Sequence, residues 1–215
     1  MRVKIVGEIE FDELKRRIRR VPLMQKHING SEIYVYEEAD ISVRRIHVND
    51  VNPTTFYLLR DNIDFQRSLR RVLLEQGIDT LQLTRAYNIE NEKGEVWTLM
   101  PPIIEVTQRD VIYFPRDGEI MYNDIVGLQI PIINDGAHRV SLARENGGLF
   151  TAIYITNVNK EFPFYAHPNP WERVKIVDSV PSKKGDKKYY SREDCYSLYR
   201  DFGILGCGAP RGLGS

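Results

Sequence analysis

The stretch that decides the fold of this chain is Pro131-Ile132-Ile133-Asn134-Asp135-Gly136-Ala137-His138-Arg139-Val140. An apolar run ends here in Asn-Asp-Gly, and a segment with helical spacing follows at once. The pattern predicts a strand over about 127–133 that passes directly into a helix over about 137–146, which Gly147-Gly148 ends. The charged residues of the stretch then lie at the helix N-terminus.

A strand-to-helix junction of this kind suits an anion. The first N–H groups of a helix have no partner within it, and the helix dipole adds partial positive charge. Gly136 lets the backbone approach a ligand, Arg139 can hold phosphate oxygens in a fork, and His138 can donate a further hydrogen bond. Asp135 repels a phosphate unless it holds a metal ion or accepts a proton, and this misfit indicates chemistry.

The same residues also fit a purely structural turn. Asn-Asp-Gly is ordinary turn sequence, in which Asp and Asn side chains accept hydrogen bonds from early N–H groups of a helix. His138 and Arg139 are then solvated surface residues. The residues alone leave both interpretations open.

Composition bounds the class of protein. The chain has 215 residues, enough for one large domain or one domain with an appendage. Lys plus Arg and Asp plus Glu number 30 each, so no global field draws the chain to nucleic acid or to an anionic membrane. No segment approaches the roughly 18 apolar residues of a membrane helix, and the N-terminus has no signal-peptide core. The two cysteines lack zinc spacing, so we expect a cytoplasmic protein without a structural metal.

Periodicity predicts strands and short helices on both sides of the junction. Strands are predicted at 3–6, 32–36, 41–48, 97–99, 103–106, 111–114 and 149–155. Helices are predicted at 11–21 and from an N-cap at Asp64 to about Gln76. Strand, helix and strand around the junction indicate a small crossover unit.

The sequence texture changes after Val158. Residues 162–171 are rich in proline and aromatic side chains, which line a pocket or wrap on the core, and wrapping is favoured. A solvated basic loop is predicted over 183–188, then a last helix from Ser191 to about Phe202 and a loose end from 203 onward. Neither of the two common glycine-rich nucleotide loops is present.

The segment Asp135-Gly136-Ala137-His138-Arg139 resembles the signature of the ParB/sulfiredoxin-like superfamily, which binds phosphate groups at this junction. The closest form is the Asp-Gly-His-His-Arg of its free serine kinases, and an upstream block from Arg45 to Ile78 is also similar. The resemblance covers about 41–158. It implies an α+β fold with a mixed sheet and short helices, an N-terminal strand-helix extension over 1–40 and a C-terminal wrapping segment over 159–215.

This sequence differs from the known members of the superfamily in ways that bear on three of their functions. ParB partition proteins bind CTP and DNA and carry a helix-turn-helix region after this domain, whereas the region after Val158 offers one clear helix. Sulfiredoxins carry a catalytic cysteine in the slot of Ala137, so their chemistry is excluded. The serine kinases carry a catalytic Glu soon after the upstream proline, but Thr54-Thr55-Phe56-Tyr57 follows Pro53 here.

The resemblance therefore implies a nucleotide- or phosphate-binding protein, and specifically a small kinase-like phosphotransferase or a nucleotide hydrolase. It would use a nucleoside di- or triphosphate, Mg²⁺ and a small-molecule acceptor. Asp135 would be the catalytic residue or would hold Mg²⁺, and the phosphates would meet Gly136, Ala137, His138, Arg139 and Arg60. The alternatives are a non-catalytic or DNA-associated ParB-like binding module, with DNA disfavoured, and a signature retained only as a turn.

Overall fold

The alternating strands and helices predicted from the sequence form the frame of the molecule. A computed structural model describes residues 1–112 and 125–207. The elements are β1 (Val3–Ile9), α1 (Phe11–Ile18), β2 (Asp40–His47), β3 (Tyr57–Leu59), α2 (Arg60–Leu74), β4 (Ala86–Asn91), β5 (Val96–Leu99), β6 (Ile103–Ile112), β7 (Ile125–Asp135), α3 (Ala137–Glu145), β8 (Leu149–Thr156) and β9 (Lys175–Val177). This mixture confirms the predicted α+β class.

A four-stranded sheet in the order β2-β8-β6-β7 carries the junction. Strand β6 pairs with β8 in parallel and with β7 in antiparallel orientation. Strands β7 and β8 therefore run in opposite directions with β6 between them, so β7-α3-β8 is not a parallel crossover unit. A three-stranded antiparallel sheet, β1-β4-β5, and a parallel pair, β3-β9, complete the pairing.

The helices and the C-terminal segment cover these sheets with apolar side chains. Helix α2 packs Leu69 and Leu73 in one cluster with Trp97 of β5. Helix α3 contributes Val140 and Ala143 to a cluster with Ile104 of β6. Phe164 and Tyr165, from the segment rich in proline and aromatic residues, pack against Ile132 of β7.

Two predictions upstream of the junction are wrong. Residues 32–36 are not a strand: Glu32 makes a single β-bridge to Lys26, and a turn follows. The apolar side chains of this segment are buried, but its backbone has no partner strand. Helix α2 begins at Arg60, so Asp64 is not its N-cap. The Asp64 carboxylate instead accepts from Arg67 one turn later, at 2.6 Å.

Further corrections concern the last 50 residues and the middle. The predicted helix after Ser191 is replaced by short 3-10 segments at Cys195–Leu198 and Phe202–Leu205. Lys188 of the predicted solvated loop is partly buried, and its Nζ donates to Tyr165 Oη at 2.6 Å. Residues 203–207 are held at the edge of β5, where Thr98 N–H donates to the Gly206 carbonyl. The predicted strand at 111–114 and the loose end lie partly outside the described residues.

In the part of the chain that the structure describes, no helix has the length and apolar character needed to cross a bilayer.

Candidate functional site

A cavity of about 280 Å³ lies where α2, β5 and the start of α3 meet. One face of α2 lines it through residues spaced one helical turn apart, namely Asn62, Phe65, Gln66 and Leu69. Four of the six predicted site residues line it from the other side: Asp135, Gly136, His138 and Arg139. The structure thus brings the core of the predicted site together around one opening.

Gly136 fixes the geometry of the junction. Its φ of +85° lies in the left-handed region, which suits glycine. A Cβ at this position would lie 2.9 Å from Cβ of Pro102. The glycine therefore allows β7 to turn into α3 while the backbone passes close to the loop that precedes β6.

A β-bulge sits immediately before the junction. The register between β6 and β7 shifts so that Asn134 is an extra residue between Ile133 and Asp135. The Asn134 amide donates to Tyr36 Oη at 2.7 Å and to Glu105 Oε2 at 3.0 Å. Because a bulge bends its strand and re-aims the next side chain, this anchored bulge sets the direction of Asp135 at the cavity wall.

Arg139 is a buried cation with little compensation. Its side chain is 7% exposed, and its guanidinium donates to the carbonyl of Met100. Among the described residues it has no other hydrogen bond and no ion-pair partner, although a guanidinium carries five N–H donors. Burial lowers the pKa of Arg139, and the negative charge of Asp135 offsets only part of this effect. The remaining donors are available to an anion in the cavity.

His138 links the starts of the two helices. Leu59 N–H donates to His138 Nε2 at 3.2 Å, so the ring is neutral with its proton on Nδ1. Burial lowers the pKa of His138 to about 4. The predicted donation to a phosphate therefore rests on Nδ1–H alone, since Nε2 already joins α3 to the N-terminus of α2.

The other two predicted site residues do not line the cavity. Arg60 pairs with Asp178, with Nε 2.8 Å from Oδ1, and both side chains are largely exposed. Ala137 packs its side chain against the cluster that holds Val140. Only its backbone N–H, in the first turn of α3, remains a candidate for contact with an anion.

Sequence reasoning did not assign the opposite wall of the cavity to the site, and Gln66, Trp97 and Cys207 are among the residues that it missed. The helical spacing of Gln66 from Asn62 and Leu69 was the one available signal. Cys207 lies 3.4 Å from Met100 Sδ, and burial raises the pKa of its thiol to about 12. No sequence pattern links Cys207 to the cavity. It lies there because residues 206–207 are hydrogen-bonded beside β5 in the folded chain.

The residues that line the cavity could hold Mg²⁺ only together with a bound phosphate ligand. Asp135 is the single carboxylate among the residues that line the cavity, and the described residues hold no group of three or more potential metal ligands. Mg²⁺ is commonly held by one or two carboxylates together with ligand phosphates. Asp135 fits that shared arrangement and does not fit a site built from protein alone.

A family model, that of the ParB CE domain, matches residues 13–177. This is more than three quarters of the chain, so the chain belongs to the ParB CE domain family. The match includes every element that lines the cavity except the segment of Cys207, and it extends on both sides of 41–158. No curated protein and no solved structure matches the chain. The domain boundaries and the closer likeness to serine kinases stay predictions.

Proposed function

We propose that this ParB-like domain binds a phosphate-bearing ligand, and in particular a nucleotide, in the cavity between α2 and α3. The observation that carries the proposal is the buried Arg139 guanidinium, which faces the cavity region with most of its donors unused. Burying a cation is costly unless it is paired, and a phosphate supplies both the charge and the acceptors.

The start of α3 supports the same ligand. The N–H groups of its first turn lack partners within the helix, and Gly136 opens the backbone to close approach. The charge of Asp135 opposes that of Arg139 in the same wall. A ligand of low charge, or a di- or triphosphate accompanied by Mg²⁺ on Asp135, balances this pair.

The position of Asp135 favours a phosphotransferase or a nucleotide hydrolase as the finer form of the proposal. Phosphoryl transfer depends on positioning and charge neutralisation more than on covalent chemistry. Arg139 would hold the phosphates, and Asp135 would accept the proton of an attacking hydroxyl group or water, or hold Mg²⁺. A small-molecule acceptor would enter from the open side of the cavity.

A DNA-associated role receives less support. Arg67 and Arg70, two cations of α2 that a DNA backbone could attract, form ion pairs with Glu145 and Asp79. The basic side of α1 is partly neutralised in the same way by Glu13. These pairs reduce the positive charge that a DNA backbone would meet.

Thermal unfolding with inorganic phosphate, AMP, ADP, ATP, CTP and GTP, with and without Mg²⁺, tests binding. A ligand at a hundred times its Kd stabilises the fold by about 2.7 kcal/mol. We expect such a shift in the wild type and in Arg71→Met, which alters an exposed arginine of α2, and a shift of about half that size or less in Arg139→Met. If no phosphate compound stabilises the wild type, the proposal is wrong.

Turnover is tested separately with Asp135→Asn. We expect this variant to bind nucleotide and to release no product, as followed by ³¹P NMR with ATP and Mg²⁺. A wild-type rate in the variant would exclude Asp135 from the chemistry. A wild type that binds without turnover would identify a non-catalytic module.

A further inference from the structure

The cavity has two chemically different ends along α2. Helices α2 and α3 lie side by side in the same direction, because Leu59 meets His138 and Arg67 meets Glu145. The end with His138 and the Arg139 guanidinium lies at the starts of the helices. Gln66 lies seven residues further along α2 than Leu59, or about 10 Å along the helix axis at 1.5 Å per residue.

The end near Gln66 has aromatic walls. Phe65 of α2 and Trp97 of β5 both line the cavity, with ring centroids 6.5 Å apart and ring planes inclined by 51°. Flat aromatic side chains of this kind pack well against a planar heterocycle. Both rings also belong to the apolar cluster of Leu69 and Leu73, which holds them in place at this end of the cavity.

Gln66 itself carries an unexplained polar atom. Its Oε1 is buried and accepts no hydrogen bond among the described residues. Buried polar atoms without a partner are rare in folded proteins, and each one calls for an explanation. Gln66 lines the cavity while its Oε1 is enclosed, so a change of side-chain rotamer on binding would turn this oxygen toward a ligand without moving α2.

We propose that Gln66 reads the base of the ligand and that the ligand is a nucleoside phosphate whose base carries an amino group. The amide oxygen accepts a hydrogen bond from that amino group, Phe65 and Trp97 contact the ring, and the phosphate lies at Arg139. A glutamine amide matches the amino group and neighbouring ring nitrogen of adenine in two hydrogen bonds. This inference rests on the proposed function and adds to it the class of base.

Calorimetric titration of the full chain with three matched ligands tests the inference. The ligands are AMP, purine riboside 5′-monophosphate, which lacks only the amino group, and ribose 5-phosphate, which lacks the base. We expect the wild type to bind AMP about tenfold or more tightly than the purine analogue, since a site built for an N–H donor rejects a ligand without it. Gln66→Met should bind both nucleotides equally, while Gln82→Met, outside the cavity, should keep the preference for AMP.

The three ligands separate this inference from the proposed function. Equal binding of AMP and the purine analogue by the wild type, or an unchanged preference in Gln66→Met, overturns the role of Gln66. If ribose 5-phosphate still binds in a manner that depends on Arg139, the phosphate site stands without base recognition. If none of the three ligands binds, base recognition by Gln66 fails, and the proposed function fails with it only if the other phosphate compounds also leave the wild type unstabilised.

Discussion

The molecule contains two buried arginines whose surroundings differ sharply. The Arg200 side chain is fully buried and makes two hydrogen bonds to the Glu105 carboxylate, at 3.2 and 2.8 Å. It also donates to the backbone carbonyls of Leu198, Pro163 and Phe162. Arg139 donates to one carbonyl and forms no ion pair or hydrogen bond with a carboxylate among the described residues.

The difference separates a structural cation from a binding cation. Burial opposes the charge of Arg200, yet Glu105 and Tyr36 leave its pKa raised. The pKa of Arg139 is instead lowered by burial. Arg200 ties the C-terminal segment to β6 with all its donors used, whereas Arg139 keeps donors beside a cavity. Two substitutions of the same kind should therefore have opposite consequences for folding and binding.

The largest effect is expected from Arg200→Met. The substitution leaves the buried Glu105 carboxylate without its cation, so the free energy of unfolding should fall by roughly 3–5 kcal/mol. Urea denaturation measures this loss. Adding Glu105→Gln to Arg200→Met removes the stranded charge and should restore part of the stability. A loss below about 1 kcal/mol would show that Arg200 is not a structural cation, and the proposed difference between the two arginines would be wrong.

His138 should give the next largest effect, through pH. Its pKa is about 4 in the folded chain against 6.5 for a free side chain, so the unfolded chain binds more protons between these values. The stability contribution is complete above about pH 6.5 and is lost as the pH falls toward 4, by about 3 kcal/mol. Urea denaturation from pH 7.5 to 4 should show this loss in the wild type and a smaller one in His138→Gln. If the free energy of unfolding fell equally with pH in the wild type and in His138→Gln, the imidazole of His138 would not be held neutral by the fold.

Gly136→Ala tests the junction itself. The alanine must adopt a positive φ and meets Pro102, so we expect a loss of roughly 1–3 kcal/mol in unfolding free energy. Gly147 is the matched control, because its φ is +86° and no atom lies within 4 Å of a Cβ there. Gly147→Ala bears only the backbone strain. Equal losses in the two variants would show that the close approach to Pro102 contributes nothing.

The junction could be predicted from the sequence because its signals are local. The apolar run, Gly136 and the spacing of Val140 specify a strand, a turn and a helix within a few residues. The wall opposite the junction could not be predicted in the same way. Cys207 and Trp97 reach the cavity through pairing and packing between segments distant in sequence.

Long-range partners also explain the sequence-based errors. Arg60 was expected at the phosphates, but Asp178, 118 residues away, holds it elsewhere. Lys188 was expected in solvent because it lies in a basic stretch of sequence, but the fold places Tyr165 beside it. No local sequence pattern distinguishes Arg139 from Arg200 either. The two arginines differ in the carboxylates and carbonyls that lie near them in the folded chain, and these come from distant segments.

The smallest effect on stability is expected from Arg139→Met. The substitution replaces a buried cation that has one hydrogen bond with an apolar side chain, so the free energy of unfolding should change by less than about 1 kcal/mol. Urea denaturation beside Arg200→Met measures the contrast directly. A loss as large as that of Arg200→Met would place Arg139 among the structural residues.

The most direct test is calorimetric titration of the wild type and of folded Arg139→Met with AMP, ADP and CTP. We expect at least one nucleotide to bind the wild type and Arg139→Met to weaken this binding by about tenfold or more, the cost of a lost charged hydrogen bond. Equal affinity in the two proteins, or no binding by the wild type, would contradict this expectation.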